Sequence, residues 1–309
     1  MKPRINIAFM YFWPAFRPEQ FQAFFPVVYE KYDLVLSNEP EVVFYSVFSP
    51  QYRPYPDPRN PVGPTKMRQG NYLRVFFTGE NFEPAMDECE FAMSFSTLVS
   101  SPNHMRVPLW VYENRGSGFP AQRLIKPDKD WEKVAREKTE FCNFVYFHEV
   151  KFRDKILAEF SRYKRVDSAG RCKNNMKGWC VPTAPNRLAG KVEFFRRYKF
   201  TLAIENAVWP GYTTEKLVDP MYSDSIPIYI GDPLASHDFN PESFVDFTRF
   251  KDFKEMLDYV RELDNNRALY LKTLAQPFYR DNKLPDCARE DKILNFFDRI
   301  FDAAIARRK

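Results

Sequence analysis

The stretch from Tyr198 to Pro233 reads YKFTLAIENAVWPGYTTEKLVDPMYSDSIPIYIGDP. An apolar segment leads into a loop that contains Gly211, and a second apolar segment ends in Gly-Asp-Pro. This pattern predicts a strand, a loop, a helix start and a second strand. α/β proteins bind phosphate-bearing ligands at the carboxyl ends of strands in such units, so this stretch is the first candidate for a binding site.

The polar residues of this stretch suit a phosphate site. Glu205 and Asn206 follow the first predicted strand. The predicted helix start is surrounded by Tyr212, Glu215 and Lys216. A helix start attracts phosphate through its N–H groups and partial positive charge, and a lysine adds a full charge. The alternative is an ordinary surface helix with Glu and Lys in its first turn, and local chemistry alone leaves both interpretations open.

Other apolar segments predict further strands. They are short, rich in Val, Phe and Tyr, and their continuous apolar character suits parallel sheets covered on both faces. In the first half the predicted strands are Arg4–Met10, Tyr32–Ser37, Glu41–Phe48, Leu73–Thr78, Phe91–Phe95 and Val107–Tyr112. In the second half they are Phe141–Phe147, Arg165–Ser168, Lys199–Glu205 and Ser243–Phe247, with helices at Lys151–Tyr163, Asp252–Leu263 and Arg289–Ala306.

Two polar segments mark the organisation of the chain. The stretch from Ser49 to Gly70 has six prolines, which exclude regular structure, and we expect a functional loop there. The stretch from Glu113 to Asp130 is interpreted as the approach to a domain linker. The predicted domains are therefore residues 1–135 and 136–309. Pro14, Phe16 and Arg17 leave no small-residue cleavage site, so the apolar N-terminus predicts a first strand rather than a signal peptide.

Composition excludes several classes of protein. The chain has 309 residues, is 44% hydrophobic and 28% charged, and its net charge of +5 is spread along its length. Dispersed charge does not favour nucleic-acid binding, and without an apolar run of 18 residues we expect no transmembrane helix. The five cysteines form no Cys-x-x-Cys motif, which indicates a cytoplasmic protein with reduced thiols.

The predicted C-terminal helix has two interpretations. The wide apolar stripe of the predicted helix Arg289–Ala306 favours a packing helix. The alternative is peripheral contact with the inner membrane through the basic residues at 307–309.

The only Asp-x-Asp triplet, residues 128–130, follows no apolar strand, and the three histidines are scattered. No metal site is therefore predicted.

The order of residues in and after the stretch Tyr198–Pro233 favours a binding site over an ordinary surface helix. FTLAIEN, GYTTEKL, IPIYIGDP and FNPESFV follow one another between Phe200 and Val245. Together they resemble the donor-site signature of the α1,3/4-fucosyltransferases, a glycosyltransferase family whose members use GDP-fucose. RVFFTGEN at Arg74–Asn81 and FCNFVYFHEVKFRDKILAEFSRYKRVDSAG at Phe141–Gly170 resemble the same family.

This resemblance implies an architecture and a reaction. The fold would be α/β and GT-B, with two Rossmann-like domains facing a central cleft and the C-terminal helix packing back across them. The domain at 1–135 would bind the acceptor and the domain at 136–309 the GDP-sugar donor. The reaction would be an inverting single displacement at the anomeric carbon, with GDP leaving. No cofactor is expected to be required, and stimulation by a divalent cation is left open.

The resemblance also implies roles for individual residues. Glu80, in Thr-Gly-Glu-Asn, would be the catalytic base, although by itself it resembles any surface-loop carboxylate. Arg153 would bind the donor diphosphate near the start of a helix. The remaining predicted donor-binding residues are Glu205, Asn206, Tyr212, Glu215 and Lys216.

The predicted function is transfer of L-fucose from GDP-fucose to a hydroxyl of an N-acetylglucosamine- or glucose-containing glycan, in α1,3/4 linkage. The predicted partners are GDP-fucose and an oligosaccharide or glycoconjugate acceptor, with no nucleic acid. Two alternatives stay open at this point. One is the same fold with another GDP-linked deoxyhexose as donor, and the other is a non-catalytic protein that binds a glycan or a nucleotide.

Overall fold

The apolar segments form two parallel sheets in the computed structural model, which describes residues 1–48, 70–181 and 187–308. The chain divides into two compact units. The first consists of Met1–Gly116, Trp209–Tyr212 and Pro285–Lys309, and the second of Ser117–Val208 and Thr213–Leu284. The first unit thus ends before the predicted domain boundary at residues 135 and 136, and the last 25 residues belong to it again. The predicted proline-rich loop lies outside the described residues, apart from Gly70.

The secondary-structure elements follow one another in the alternating order of an α/β protein. The strands are β1 (Arg4–Met10), β2 (Asp33–Leu36), β3 (Val42–Tyr45), β4 (Leu73–Phe77), β5 (Phe91–Ser94), β6 (His104–Arg106), β7 (Glu140–Phe144), β8 (Val166–Ser168), β9 (Tyr198–Ile204), β10 (Ile226–Ile230) and β11 (Val245–Asp246). The helices are α1 (Pro18–Phe24), α2 (Pro26–Lys31), α3 (Leu109–Tyr112), α4 (Trp131–Glu137), α5 (Lys151–Tyr163), α6 (Arg187–Phe195), α7 (Glu215–Met221), α8 (Phe253–Asn265), α9 (Arg267–Leu274) and α10 (Glu290–Ala306).

The first unit is built on a six-stranded parallel sheet in the order β2-β1-β3-β4-β5-β6. All four residues of β3 are buried, which explains why its sequence is continuously apolar rather than alternating. The register places Ile7 of β1 opposite Val42 of β3 and Val43 opposite Arg74 of β4. Five of the six strands lie within the segments predicted for them.

The predicted strand at Val107–Tyr112 is wrong. Leu109–Tyr112 forms the short helix α3, and the sixth strand is formed by the preceding residues His104–Arg106. Trp110, Val111 and Tyr112 are buried, so the segment is apolar for the same reason that a buried strand would be. A short apolar run does not distinguish a buried helix from a buried strand.

The last helix, α10, packs on the first unit through its apolar face. The ring of Phe297 lies 5.3 Å from Phe25 and 6.0 Å from Phe44, and Phe301 lies 4.7 Å from Tyr32. The buried residues of the stripe are Ile293, Phe296, Phe297, Ile300, Phe301 and Ala304. The packing interpretation of this helix is therefore confirmed, because the stripe is covered by protein. Of the helices that the structure describes, none combines the length and the apolar character needed to cross a bilayer.

The second unit contains a five-stranded parallel sheet in the order β11-β10-β9-β7-β8. From β7 the chain passes to β8 on one side, and it then returns to place β9 on the other side of β7. The strand order therefore reverses between β7 and β9, and ligands of open α/β sheets bind beyond the carboxyl ends of the strands at such a reversal. The connections that lead into α5, α6 and α7 leave the sheet at this same carboxyl edge.

Candidate functional site

Arg153 lies at the reversal of strand order in the second unit. It is the third residue of α5, and only 3% of its surface is exposed. Its Nη2 group donates hydrogen bonds to the carbonyl oxygen of Ile204, at 2.7 Å, and to the side-chain oxygen of Asn206, at 2.6 Å. Since α5 follows β7 while Asn206 follows β9, these bonds fix a buried cation where a ligand is expected.

Glu205 directly follows β9, and its carboxylate lies at the start of α7. Its carboxylate accepts hydrogen bonds from the Thr214 backbone N–H, at 2.8 Å, and from the Thr214 hydroxyl, at 2.7 Å. The Nζ atom of Lys216 lies 3.3 Å from the same carboxylate, whose side chain has no exposed surface. Burial raises the pKa of Glu205, and Lys216 and Thr214 act in the opposite direction. The helix start that was predicted to face phosphate thus already holds a protein carboxylate.

Lys216 connects two carboxylates at this edge. Besides Glu205, it lies 3.4 Å from Oε1 of Glu215, and 24% of its side chain is exposed. Burial opposes ionisation of Glu215, but the charges of Lys216, Lys191 and Arg187 together hold its pKa below the ordinary value. Glu215 therefore stays charged near neutral pH, and the ammonium group is held between two anions.

The Gly-Asp-Pro end of the second apolar segment supports this arrangement. A Cβ atom at Gly231 would lie 2.4 Å from Cγ of Glu205 and 2.5 Å from the hydroxyl of Tyr229, so no side chain fits there. The carboxylate of Asp232, which is fully buried, accepts a hydrogen bond of 2.7 Å from the Thr213 hydroxyl. These roles of Gly231 and Asp232 were not predicted from the sequence. The turn residues directly after β10 were the available signal.

Glu80 belongs to the first unit, in the turn after β4. Its backbone N–H donates to the Thr78 hydroxyl at 3.0 Å. The neighbouring Gly79 leaves room for Tyr112, because a Cβ atom there would lie 2.4 Å from the tyrosine hydroxyl. Burial raises the pKa of Tyr112, and the negative charges of Glu113 and Glu80 raise it further. The tyrosine hydroxyl is therefore a neutral group close to the predicted base.

Tyr212 is counted with the first unit, unlike the other predicted donor-binding residues. Its ring packs edge-on against Phe95, with centroids 5.2 Å apart. The indole N–H of the nearby Trp209 donates a hydrogen bond to the Glu83 carboxylate, at 2.8 Å. Gly211 has φ +83°, and a Cβ atom there would lie 2.6 Å from the carbonyl oxygen of Phe95. Only glycine suits this position, because it combines a left-handed conformation with close backbone approach.

The structure thus groups five predicted residues in the second unit, namely Arg153, Glu205, Asn206, Glu215 and Lys216, and two in the first, Glu80 and Tyr212. Among residues 1–48, 70–181 and 187–308, the His, Cys, Asp and Glu side chains form no group of three or more that could hold a metal ion. In the Asp-x-Asp triplet, Asp130 instead caps α4 by accepting from the Lys133 N–H at 2.9 Å.

Two α/β units with parallel sheets are the architecture of the GT-B class of glycosyltransferase folds, and solved structures of that class match this chain. A solved α1,3-fucosyltransferase with GDP-fucose matches with a TM-score of 0.72 and 27% identity over 97% of this chain and 91% of that one. Its complex with GDP matches with a TM-score of 0.74 and 26% identity. The model of the C-terminal part of glycosyltransferase family 10 (fucosyltransferase) matches residues 135–276, and that of the α-(1,3)-fucosyltransferase FucT N-terminal domain matches residues 60–112. The chain belongs to the family 10 fucosyltransferases.

Curated relatives from a virus and a bacterium agree with this membership. A protein of Acanthamoeba polyphaga mimivirus, named as a fucosyltransferase, is 31% identical over 213 residues, 67% of this chain and 34% of that protein. The α-(1,3)-fucosyltransferase FucT of Helicobacter pylori is 27% identical over 305 residues, 88% of this chain and 60% of that protein. The chain therefore spans about a third of the first relative and 60% of the second.

Proposed function

We propose that this protein transfers L-fucose from GDP-fucose to a hydroxyl of an N-acetylglucosamine- or glucose-containing glycan, in α1,3/4 linkage. The observation that carries the proposal is the grouping of Arg153, Asn206 and Lys216 at the strand-order reversal, in a chain of the family 10 fucosyltransferases. The solved relative is named as an α1,3-fucosyltransferase with GDP-fucose, which supports the same donor for this chain.

The second unit would bind the donor. Arg153 and Lys216 carry positive charge at the sheet edge, where it would stabilise the negative charge that develops on the departing diphosphate. Asn206 would be oriented by its hydrogen bond from Arg153. Glu205 would act indirectly, because both of its carboxylate oxygens already accept from Thr214. With protein cations in this role, we expect donor binding to need no divalent cation, and excess EDTA should leave GDP affinity unchanged.

The first unit would supply the base. In an inverting displacement the acceptor oxygen forms a bond to the anomeric carbon while the bond from that carbon to GDP breaks. The acceptor hydroxyl loses its proton in the same step, and Glu80 would receive it. A positioned general base contributes roughly 10²- to 10⁴-fold to the rate. Glu80 has the chemistry for this role because it is a partly exposed carboxylate in a turn after a buried strand.

The test measures GDP release from GDP-fucose with a panel of short glycan acceptors. The Glu80→Gln variant should lose roughly 10²- to 10⁴-fold in kcat and still bind GDP, because only proton transfer is removed. Asp87→Asn is the matched control, since Asp87 is an exposed acid after the same strand. Equal turnover by wild type and Glu80→Gln would refute the role of Glu80. A second GDP-deoxyhexose turned over in preference to GDP-fucose would refute the donor, and GDP binding without turnover would indicate a binding protein.

We also infer a cytoplasmic location. All five cysteines are free thiols, which is typical of proteins in a reducing compartment. Peripheral contact with the inner membrane would have to use a surface other than the apolar face of α10, because that face is buried. Fractionation of cells tests both points, and recovery of the protein in an oxidising compartment would contradict the inference.

A further inference from the structure

Acidic side chains outnumber basic ones at the carboxyl edge of the second sheet, among the residues considered so far. Arg153 and Lys216 contribute two positive charges. Glu205 and Glu215 contribute two negative charges, both close to Lys216. The buried carboxylate of Asp232 adds a third beside Thr213. A nucleoside diphosphate brings several negative charges of its own, so its binding at this edge needs a further cation.

Arg187 is a cation that meets this need. It is the first residue of α6, a helix that begins at the same edge of the sheet as α5 and α7. Its guanidinium carbon lies 5.6 Å from the ring centroid of Phe147, in the segment after β7. Its charge also reaches Glu215, since it is one of three charges that lower the pKa of that carboxyl group. Arg187 therefore lies on the same part of the edge as Lys216.

The other two cations that act on Glu215 are already engaged. Lys191 is buried and forms an ion pair of 2.6 Å with Asp219, and Lys216 lies between two carboxylates. Arg187 differs, because it is exposed and none of the described carboxylates lies within 4.0 Å of its guanidinium group. An exposed cation without a carboxylate partner can accept an anionic ligand without first breaking an ion pair.

We propose that Arg187 binds the diphosphate of the nucleotide sugar, with the ring of Phe147 supporting its guanidinium group. The planar guanidinium can donate two parallel hydrogen bonds to phosphate oxygens, which a lysine cannot do. Contact with an aromatic ring restricts the orientation of an arginine and leaves its N–H groups available. This inference rests on the proposed use of a GDP-sugar, and it adds a donor-binding residue that the family motif does not contain.

The experiment measures binding of GDP and of guanosine by titration calorimetry in wild type, Arg187→Gln, Arg187→Lys and Arg196→Gln. Arg196 is the matched control, because it is an exposed arginine directly after the other end of α6 and pairs with Glu193 at 3.5 Å. We expect Arg187→Gln to weaken GDP binding by about 10- to 100-fold and Arg187→Lys by less, since Lys keeps the charge but not the paired hydrogen bonds. Arg196→Gln should bind GDP like wild type.

Guanosine lacks the diphosphate, so its affinity reports contacts to the nucleoside part of GDP alone. If Arg187 contacts phosphate, its replacement changes guanosine affinity by less than about twofold while GDP affinity falls. Equal losses for both ligands, or GDP binding by Arg187→Gln that matches wild type, would overturn the inference and leave the proposed function standing. Failure of wild type to bind GDP would overturn the proposed function and this inference together. Circular dichroism of each variant confirms folding, and Arg187→Lys keeps the test decisive if Arg187→Gln does not fold.

Discussion

Arg153 and Asn206 are joined by a hydrogen bond of 2.6 Å that crosses the point where the strand order of the second sheet reverses. The same guanidinium nitrogen donates to the carbonyl oxygen of Ile204, the last residue of β9. The helix α5, which follows β7, is thereby joined to the end of β9, the neighbouring strand in the sheet. Because only 3% of Arg153 is exposed, water screens its charge weakly, and an anion bound nearby would interact with it strongly.

Replacement of Arg153 by lysine tests this relationship. Lysine keeps the charge, but a single ammonium group cannot reproduce the geometry that holds Asn206 and Ile204 together. We expect GDP affinity to fall at least tenfold, which corresponds to about 1.4 kcal/mol. Calorimetry measures the loss, and Lys155→Gln, an exposed position on the same helix, serves as the control. GDP affinity in Arg153→Lys equal to that of wild type would show that charge alone is sufficient.

Gly231→Ala tests whether the turn after β10 shapes the site. The added Cβ atom would lie 2.4 Å from Cγ of Glu205, so either the carboxylate or the turn must move. We expect the free energy of unfolding to fall by about 1–3 kcal/mol, with weaker GDP binding, because an overpacked buried site shifts its neighbours. In the control Gly116→Ala, the added atom would lie 3.4 Å from Ala23, an ordinary contact. Equal urea midpoints for the two variants would contradict the prediction.

Much of the fold could be predicted because most buried strands are short apolar segments with polar ends. The bounds of β1 and α5 agree with the predicted Arg4–Met10 and Lys151–Tyr163. The strand predicted at Val107–Tyr112 was wrong because burial makes α3 as apolar as a strand. Hydrophobic periodicity does not distinguish the two over a helix of only four residues. The helix start of α6 was also missed, because Arg187 follows a polar stretch that predicts only a loop.

The grouping of residues at the carboxyl edge of the second sheet could be predicted better than the hydrogen bonds between them. The motif placed Arg153 and Asn206 together, and the structure joins them directly. Glu205 was predicted to bind the donor, and its carboxylate accepts a hydrogen bond from the Thr214 hydroxyl. That contact depends on the distance between the end of β9 and the start of α7. Sequence spacing does not determine this distance, because the intervening loop can take many paths.

Phe297→Ala tests the packing of α10 in the first unit. The ring lies 5.3 Å from Phe25 and 6.0 Å from Phe44 and is fully buried. Loss of a buried phenylalanine ring costs about 3–5 kcal/mol, because it removes apolar contact and leaves a cavity. Urea unfolding should show this loss, whereas Phe152→Ala, at a residue that is 49% exposed, should change stability by less than about 1 kcal/mol. A small effect at Phe297 would mean that α10 is not part of the core.

His104 should make the stability of the first unit depend on pH. Its Nε2 atom lies 2.9 Å from the Ser94 hydroxyl in the neighbouring strand β5. The pKa of His104 is lowered to about 4, mainly by burial and also by the charge of Arg106, while a backbone hydrogen bond at Val99 acts in the opposite direction. An unfolded histidine has a pKa of about 6.5, so between these values the unfolded state binds the proton more tightly. The free energy of unfolding is therefore not reduced by His104 above about pH 6.5, and it falls as the pH falls towards 4.

Urea unfolding at a series of pH values from 7.5 to 4.5 would measure this dependence. Wild type should lose on the order of 1–3 kcal/mol over the series from this group alone, because its pKa is lower in the folded state. His104→Gln keeps a polar partner for Ser94 but cannot gain a proton, so its curve should be flatter by that amount. His237→Gln removes an exposed histidine and should retain the dependence of wild type. Parallel curves for wild type and His104→Gln would show that folding leaves the pKa of His104 unchanged, and its burial would then not control its charge.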